Sequence, residues 1–368
     1  MSHASSPKEA PRESDAAFMA AALSLAARSL GDTWPNPSVG CVIVKDGVVV
    51  GRGWTQSGGR PHAETEALRR AGAAAKGATS YVTLEPCSHH GKTPPCAEAL
   101  IAAGIARVVS ATGDPDPRVS GQGLAKLKAA GIVLDQGVGK AAADRLNAGF
   151  FRKIIDNRPL FTLKCATSLD GRIALADGDS KWITGPRARA AVQALRARFD
   201  AILVGSGTAL ADNPELTCRL PGYSGRPKVR IVLDRRLRLP LDSKLVTTAR
   251  DIPTWVVTAE VGPKAEELAA RGVEVLTADT SDVGQILADR GLTRVLIEGG
   301  GQVAGAFLKA GLIDEICWFR APAVVGGDGL PALGPLGATT LAAIPSFDRI
   351  ESLAFGPDTL DILVAKGG

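Results

Sequence analysis

Pro61-His62-Ala63-Glu64, with Pro86-Cys87 and Cys96 further along, is the most informative stretch of this chain. One imidazole and two thiols offer three ligands for a tetrahedral metal ion, and no fourth ligand is obvious. Structural zinc sites fill all four positions with protein ligands, whereas catalytic sites keep one for water, which loses its proton near neutral pH. Because Glu64 lies two residues after the histidine, it is placed to carry that proton. The pattern predicts a hydrolytic zinc site with the ligands His62, Cys87 and Cys96.

The spacing of the two cysteines narrows this interpretation. A His-x-Glu motif followed by Pro-Cys and a second cysteine is the signature of zinc deaminases that act on cytosine-like or adenine-like rings. Those enzymes usually have two residues between the cysteines, whereas this chain has eight, at 88–95. The alternative is a closed zinc knuckle in which His89 or His90 supplies a fourth ligand. A knuckle would leave the position of Glu64 unexplained.

With its long cysteine gap, the segment 85–96 resembles the deaminase half of the bifunctional deaminase–reductase family of riboflavin biosynthesis, and 35–40 resembles the substrate loop of that family. The resemblance implies a three-layer, cytidine-deaminase-like N-terminal domain. It also implies hydrolytic deamination of 2,5-diamino-6-(5-phosphoribosylamino)pyrimidin-4(3H)-one, with Glu64 as the catalytic proton carrier and with Asn36 and Lys92 as substrate contacts.

One position departs from the family pattern. Thr55 stands where the family usually has a histidine that contacts the substrate. The metal ligands are unaffected, but one binding interaction is in doubt. Water, Gln56 or Arg60 could take its place.

A glycine-rich turn marks the second half of the chain. The segment 294–301 reads as a strand that runs into three glycines, and 302–305 opens a helix. Exposed N–H groups at such a helix start bind anions, and the letters fit the G-x-G-x-x-A dinucleotide pattern. In a Rossmann domain this fingerprint follows the first strand, whereas here it comes after five or six predicted strands. The sequence therefore argues against a Rossmann fold and favours a phosphate site, the alternative being a tight turn without a ligand.

Four further segments, 168–172, 182–185, 207–214 and 216–219, resemble the reductase half of the same family. That half resembles dihydrofolate reductase in fold, so the whole chain is predicted to be an α/β protein of two domains. The resemblance implies NADPH as the cofactor of the second domain, alongside one zinc ion in the first. It implies reduction of the ribose of 5-amino-6-(5-phosphoribosylamino)uracil to a ribityl chain.

Matching motifs assign residues to the two ligands of the predicted reductase. Lys164 is the predicted catalytic lysine near the reacting ribose. The predicted cofactor contacts are Ala166, Trp182, Thr208, Asp212, Gly300, Gly301, Gln302, Val303, Ala304, Gly305 and Ala306. The predicted substrate contacts are Ser180, Arg196, Leu216, Arg219 and Glu298. Arg196 and Arg219 could clamp the substrate phosphate, because guanidinium groups suit phosphate geometry; each could equally be a solvated surface arginine, and Trp182 could be core packing.

Hydrophobic periodicity predicts alternating strands and helices in both halves. In the first half the predicted helices cover 15–30, 62–71, 96–103 and 141–156, and the predicted strands cover 39–44, 48–53, 80–84, 108–111 and 132–134. In the second half the predicted strands cover 160–166, 201–204, 229–233, 254–257, 273–276, 294–297, 315–319 and 361–364, and the predicted helices cover 186–198, 263–271, 283–289 and 302–310.

Length and composition set the remaining bounds. A chain of 368 residues suggests two domains, and we predict a disordered tail at 1–14, a deaminase domain at 15–157 and a reductase domain at 158–368, because Asn157-Arg158-Pro159 reads as a linker. No apolar run is long enough to span a bilayer, and the N-terminus does not read as a signal peptide, so a cytoplasmic location is expected. Four of the six cysteines are expected to be buried thiols.

Charge and aromatic content bear on the partners. A net charge of +5 and 4% aromatic residues are too low to argue for nucleic acid. We therefore expect small phosphorylated pyrimidines as partners, without nucleic acid or membrane, and a homo-oligomeric chain. The rival hypotheses are a tRNA base deaminase with an appended nucleotide-binding domain, a non-catalytic zinc module, and a chain in which only one half is active.

Overall fold

The computed structural model of the chain describes residues 13–89 and 94–366. It divides into two compact units, Met1–Ile155 and Asp156–Gly368. The helices of the first unit are α1 (Glu13–Ala27), α2 (Ala63–Ala71), α3 (Cys96–Ala102), α4 (Gln122–Ala129), α5 (Lys140–Leu146) and α6 (Ala148–Asp156). Its strands are β1 (Gly40–Lys45), β2 (Val48–Trp54), β3 (Thr79–Val82), β4 (Arg107–Ser110) and β5 (Val133–Gln136).

The first unit is a three-layer structure built on one mixed sheet. The strand order is β2-β1-β3-β4-β5, with β1 antiparallel to both neighbours and the β3-β4 and β4-β5 pairs parallel. Successive side chains of a strand point to opposite faces. Cys41 and Ile43 of β1 accordingly pack into a core with α2, α3 and α4, whereas Val42 and Val44 pack into a second core with α1 and α5.

Glycines allow the metal-site helix to lie directly on the sheet. A Cβ atom at Gly51 would come within 2.3 Å of the carbonyl oxygen of Ala67, and one at Gly53 within 2.1 Å of that of Ala63. Both glycines lie on the same face of β2, two residues apart. Because the facing residues of α2 are alanines, backbone meets backbone, and this close packing positions the first turn of α2.

The second unit contains six helices and eleven strands within its described residues. The helices are α7 (Pro186–Ala197), α8 (Ser206–Asp212), α9 (Lys244–Thr247), α10 (Pro263–Ala270), α11 (Val283–Asp289) and α12 (Gly301–Lys309). The strands are β6 (Leu160–Thr167), β7 (Arg172–Ala174), β8 (Ala201–Gly205), β9 (Val229–Leu233), β10 (Thr254–Thr258), β11 (Glu274–Thr277), β12 (Arg294–Ile297), β13 (Glu315–Arg320), β14 (Leu330–Pro331), β15 (Phe347–Phe355) and β16 (Asp358–Ala365).

A nine-stranded sheet forms the frame of this unit, in the order β11-β10-β9-β8-β12-β6-β13-β16-β15. The seven strands from β11 to β13 are parallel to one another, and β16 is antiparallel to both of its neighbours, β13 and β15. The carboxyl ends of the parallel strands therefore meet along one edge, where ligands bind in open α/β sheets. Strand β12 returns late in the chain to lie between β8 and β6, and this brings the glycine turn after it to the centre of that edge.

The predicted strands all overlap observed ones, but the predictions about helices and ends need correction. The single helix predicted over 141–156 is wrong: α5 ends at Leu146 and α6 begins at Ala148. Asn147 interrupts it because its side-chain amide accepts from Ser38 N at 2.9 Å and donates to Ser38 O at 3.1 Å. The tail predicted to end at residue 14 is too long, because α1 already begins at Glu13.

Long-range contacts explain the early start of α1. Asp15 accepts hydrogen bonds from Tyr81 Oη at 2.7 Å and from Arg107 at 2.8 and 2.9 Å. These bonds hold the first turn against the sheet. The sequence prediction missed β7, β14, β15, α4, α8 and α9. All of these are short except β15, whose side chains are almost all exposed on both faces of the strand.

Candidate active sites

Three different elements bring the predicted metal ligands of the first unit together. His62 immediately precedes α2 in extended conformation, Cys87 lies in the loop after β3, and Cys96 is the first residue of α3. Their ligand atoms lie within 4.8 Å of one another. His89, the described candidate for a fourth ligand, is not part of this cluster, so the described residues do not form the closed knuckle.

The distances in this cluster fit a tetrahedral zinc ion. His62 Nδ1 lies 3.3 Å from Cys96 Sγ and 3.6 Å from Cys87 Sγ. Zinc–nitrogen bonds of about 2.05 Å and zinc–sulfur bonds of about 2.3 Å would separate nitrogen and sulfur by about 3.6 Å. The Cys96 backbone N–H also donates to Cys87 Sγ at 3.3 Å, which favours a thiolate there. The residues present therefore fit a zinc ion with a position left for water.

The thiols and Glu64 have strongly perturbed proton affinities. Hydrogen bonding with Cys96 lowers the pKa of Cys87 to about 4, and the same bond raises the pKa of Cys96 well above its ordinary value. A divalent cation would favour the thiolate form of both. Burial raises the pKa of Glu64, which is 4% exposed, although the charge of His62 opposes this. A carboxyl group that retains a proton more readily than usual suits an acid–base role.

A buried glutamate that the sequence analysis did not single out anchors the cysteine loop. Glu85 accepts hydrogen bonds from the backbone N–H groups of Gly121 and Gly123 at 3.0 and 3.1 Å. These groups belong to the start of α4, where a negative charge is favoured. A Cβ at Gly123 would lie 1.9 Å from the carbonyl oxygen of Pro86. Glu85 thus fixes the chain two residues before Cys87, and its contacts lie too far along the chain for local patterns to reveal.

The predicted substrate contacts of this unit are only partly described. Asn36 is half-buried, and its amide lies against Gly59, where a Cβ would approach to 2.0 Å. Lys92 lies outside the described residues. The Thr55 hydroxyl is buried and accepts a hydrogen bond from Val39 N at 2.9 Å, so it is bonded to the backbone. Thr55 therefore does not take over the contact of the missing histidine.

In the second unit, four predicted site residues from distant parts of the chain meet around one carboxylate. Lys164 lies on β6, Glu298 directly follows β12, and Arg196 lies in the last turn of α7. Burial tends to raise the pKa of Glu298, but Arg196, with Lys164 and Arg219 also nearby, holds it below the usual range. These groups, which the sequence assigned to the substrate, meet at the carboxyl edge of the parallel strands.

The structure does not support a phosphate clamp that includes Arg196. Its Nε and Nη2 donate to the two carboxylate oxygens of Glu298 at 2.6 and 3.0 Å, and its Nη1 donates to the Thr217 carbonyl at 2.7 Å. The guanidinium group is buried, and these bonds occupy the pair of donors that a phosphate would need. Arg219 is different: its side chain is 60% exposed, with Glu215 3.6 Å away. Arg219 thus retains free donors for a phosphate, whereas Arg196 orients Glu298.

The predicted cofactor contacts cluster around the glycine turn. Gly300 N donates to Thr208 Oγ1 at 3.1 Å, and Asp212 lies one helical turn beyond Thr208 on α8. A Cβ at Gly301 would lie 2.7 Å from the Pro331 carbonyl oxygen, whereas one at Gly300 would meet only Thr208, at 3.6 Å. Close packing therefore explains why residue 301 is a glycine, whereas Gly300 faces a more open space. The turn next to a hydroxyl fits a cradle for the cofactor pyrophosphate.

Other predicted contacts are distributed around this edge. Ala166 lies two residues after Lys164 on the same face of β6. Trp182 is 70% exposed, with the Arg189 guanidinium 4.7 Å from its ring, so the core-packing alternative for Trp182 is wrong. The remaining members of the helix start differ in exposure: Gln302 and Ala306 are exposed, Val303 is half-buried, and Ala304 and Gly305 are buried against the protein. The last two are not brought to the open edge.

A strained loop holds two of the predicted substrate contacts. Leu216 has φ of +50° and Asn213 has φ of +40°, values that non-glycine residues rarely adopt. The Leu216 side chain is buried in the core, so only its backbone can face a ligand. Strained residues cluster at ligand sites.

Ser180 is half-buried, and its carbonyl accepts from Ile183 N at 3.2 Å.

Comparison with known proteins identifies the family to which this chain belongs. Residues 12–112 match the family described as the cytidine and deoxycytidylate deaminase zinc-binding region, and residues 159–360 match the RibD C-terminal domain. The riboflavin biosynthesis protein RibD of Aquifex aeolicus is 45% identical over 90% of this chain and 92% of its own. The chain belongs to the RibD family. The RibD protein of Escherichia coli is 43% identical and covers 94% of this chain and 97% of its own.

Solved structures of RibD proteins share the architecture. RibD of Acinetobacter baumannii (form 1) matches with a TM-score of 0.89 and 40% identity, covering 96% of this chain and 99% of its own. The deaminase/reductase of Thermotoga maritima matches with a TM-score of 0.85 and 36% identity, over 96% and 99%. The predicted fold class is confirmed: a deaminase-like domain is joined to a RibD reductase domain.

RibD membership also confirms the predicted activities and cofactors. The chain is a bifunctional deaminase–reductase of riboflavin biosynthesis, with a zinc-binding deaminase domain and a reductase domain of the NADPH-using RibD type. The hypotheses of a tRNA base deaminase and of a non-catalytic zinc module are accordingly wrong. Among the described residues, no helix is long and apolar enough to cross a membrane.

Proposed function

We propose that the first unit deaminates 2,5-diamino-6-(5-phosphoribosylamino)pyrimidin-4(3H)-one and that the second reduces the ribose of the deaminated product. The Thermotoga maritima relative, a diaminohydroxyphosphoribosylaminopyrimidine deaminase, supports this substrate. The observation that carries the proposal is the joint presence of the His62, Cys87 and Cys96 cluster in one unit and the Lys164–Glu298 cluster in the other. The domain boundaries at residues 157 and 158 are part of the same proposal.

In the deaminase site, His62, Cys87 and Cys96 would hold the zinc ion. Bound zinc supplies a water of lowered pKa and an electrophilic centre. Glu64 would take a proton from the attacking water and give it to the ring nitrogen, and would then carry the hydroxyl proton of the resulting adduct to the amino group, which leaves as ammonia while the carbonyl forms. The burial of Glu64 supports this role, because it excludes bulk water from the carboxyl group. Asn36 and Lys92 are the proposed substrate contacts, and the place of the missing histidine would be filled by water, Gln56 or Arg60.

In the reductase site, the chain positions the cofactor against the sugar. Bound NADPH supplies a hydride to C1 of the opened ribose. The glycine turn and Thr208 would hold the pyrophosphate, and Lys164 would meet the substrate next to the reacting carbon. Glu298 is kept ionised by Arg196, which supports a role in orienting ribose hydroxyls or the Lys164 ammonium group. Arg219 would bind the 5'-phosphate.

We expect Arg219→Lys to weaken the use of the phosphorylated reductase substrate. Lysine retains the charge but loses the planar pair of donors that suits a phosphate. A lost hydrogen bond to a charged group costs about 1.5–3 kcal/mol, which corresponds to about a ten- to a hundred-fold fall in kcat/KM. Steady-state NADPH oxidation with phosphorylated and phosphate-free substrates measures this effect.

In Arg219→Lys, kcat/KM for the phosphate-free substrate and the affinity for NADPH should be unchanged. Arg187→Lys is a matched control, because Arg187 is an exposed arginine in the first turn of α7. If Arg219→Lys discriminates against the phosphate-free substrate as strongly as the unmodified chain does, Arg219 is a surface residue and another group binds the phosphate.

Removal of zinc should separate the two activities in the full-length chain. After treatment with a chelator we expect deamination to be lost and reduction of pre-deaminated substrate to continue at its original rate, because the metal ligands all lie in the first unit. Ammonia release and NADPH oxidation measure the two steps, and added zinc should restore deamination. Equal loss of both activities would contradict independent sites.

We also infer a cytoplasmic homo-oligomer that acts on small phosphorylated pyrimidines rather than on nucleic acid. The six free thiols support a reducing compartment. The edge strand β15 supports self-association, because its central side chains are exposed on both faces, with Ile350 at 41% and Leu353 at 38% exposure. Exposed apolar edges favour strand pairing, and equilibrium sedimentation tests the oligomeric state.

A further inference from the structure

The loop that carries Arg219 connects α8 to β9 and is held in place by side chains from other parts of the second unit. Residues 213–220 form neither helix nor strand. Within the part of the chain that the structure describes, no backbone N–H or C=O group of residues 215–219 pairs with another backbone group. Because backbone polar groups then take their partners from side chains or water, the side chains that bond to this loop determine its position.

Helix α7 supplies three of these bonds. Gln193 Oε1 accepts from Arg219 N at 2.8 Å, and the Gln193 carbonyl accepts from Cys218 Sγ at 3.4 Å. Arg196 Nη1 donates to the Thr217 carbonyl at 2.7 Å. Residues three apart lie on the same face of a helix. This one face of α7 therefore contacts three successive residues of the loop.

The helix that provides these bonds is itself fixed to the sheet. Its apolar residues recur at the spacing of one helix face. They pack against a core formed with β13 and β16, and they are Ala188, Ala191, Val192 and Leu195. The Gln193 side chain therefore projects from a firmly packed base, and the bond that it accepts from Arg219 N holds the backbone of the loop at that residue.

The Arg219 side chain has little else to hold it. It is 60% exposed, and its nearest acid, Glu215, lies 3.6 Å away and is equally close to Lys244. Exposed ion pairs of this kind are weak. The charge nevertheless reaches the substrate edge: burial raises the pKa of Glu298, and nearby positive charges, including that of Arg219, bring it below its ordinary value. The backbone position of residue 219 thus determines where this guanidinium group meets a ligand.

We propose that Gln193 is a positioning residue for the substrate phosphate, because its amide oxygen holds the backbone of Arg219 where the guanidinium group can reach that phosphate. The proposal rests on the proposed reductase function and on Arg219 as its phosphate contact. Gln193 itself does not touch the reacting atoms. Loss of its bond should therefore weaken substrate binding, which raises KM, and leave kcat unchanged.

Gln193→Met tests this role in the full-length chain. Methionine is similar in length and forms helices well, but it has no amide oxygen. Steady-state NADPH oxidation should show a KM for the phosphorylated substrate that is about two- to ten-fold higher, the range for one lost neutral hydrogen bond. The KM for the phosphate-free substrate and the affinity for NADPH should stay at their original values. Gln285→Met is the matched control, because Gln285 is an exposed glutamine on a different helix, α11.

A double-mutant cycle with Arg219→Ala separates positioning from a general structural effect. If Gln193 acts through the Arg219 side chain, Gln193→Met should raise KM no further once that side chain is removed. Gln193→Ala, which also lacks the amide, repeats the test with a smaller side chain, and circular dichroism of each variant checks the fold.

Three results would overturn the inference: an unchanged KM in Gln193→Met, an equal rise for both substrates, or an undiminished effect in the Arg219→Ala background. The proposed phosphate contact is tested separately within the same cycle. If Arg219→Ala alone keeps the original KM for the phosphorylated substrate, that contact is wrong, and the role of Gln193 is refuted with it.

Discussion

Cys87→Ser should lose most of its zinc and, with it, deaminase activity. The unmodified chain is expected to bind about one zinc ion per chain. A serine hydroxyl cannot replace the thiolate, which the backbone N–H of Cys96 stabilises by a hydrogen bond of 3.3 Å to the sulfur. Only His62 and Cys96 would remain as ligands among the described residues. Elemental analysis of the purified variant measures the zinc, and ammonia release measures the activity.

A second cysteine offers the control for this experiment. Cys41 is fully buried in the same unit and pairs with Ser80 Oγ at 3.3 Å, outside the ligand cluster. Cys41→Ser should therefore keep its zinc. NADPH oxidation by Cys87→Ser should also persist, which would show that the second unit is folded. Full zinc occupancy in both Cys87→Ser and Cys96→Ser would exclude these residues as ligands.

Glu64→Gln should separate metal binding from catalysis. Glutamine has nearly the same shape but cannot accept and return a proton, and general acid–base groups contribute about a hundred- to ten-thousand-fold to rates. We expect the rate of deamination to fall by at least about a hundred-fold while zinc is retained, because Glu64 is not one of the three ligands. Single-turnover deamination and elemental analysis of the same sample measure both quantities.

Glu66 provides the comparison within the same helical turn. Its side chain pairs with Arg69 at 3.0 Å and with Arg70 at 3.6 Å, away from the ligand cluster. Glu66→Gln should therefore deaminate at close to the original rate. Near-normal turnover by Glu64→Gln would refute its role as the proton carrier, and loss of zinc from that variant would show that the carboxylate instead supports the metal.

Local spacing was sufficient to predict which side chains cluster as candidate zinc ligands. His62 and Glu64 are two residues apart at a helix start, and the Pro-Cys motif follows a strand, so their identities and spacing already define the chemistry. The strands of the central sheets were predictable for a related reason: continuous apolar runs such as those of β8 and β12 indicate strands buried on both faces. Both signals lie within short stretches of chain.

The availability of each polar group for a ligand depends on contacts between distant parts of the chain. The sequence suggests Arg196 as a phosphate ligand. In the fold, however, strand order brings Arg196 next to Glu298, 102 residues away, and the guanidinium group donates to that carboxylate instead. Asn147 breaks a predicted helix because Ser38, 109 residues away, offers it backbone partners. Hydrogen bonds of this range depend on which strands are neighbours, and no local pattern contains that information.

The residue chemistry of both sites was therefore determined by the sequence, and the partners of each residue were determined by the fold. Glu85 supports Cys87 only because α4 begins beside the cysteine loop. A charged or polar side chain acts on whatever lies within a few ångströms of it, and in a folded chain those neighbours come mainly from distant positions in the sequence.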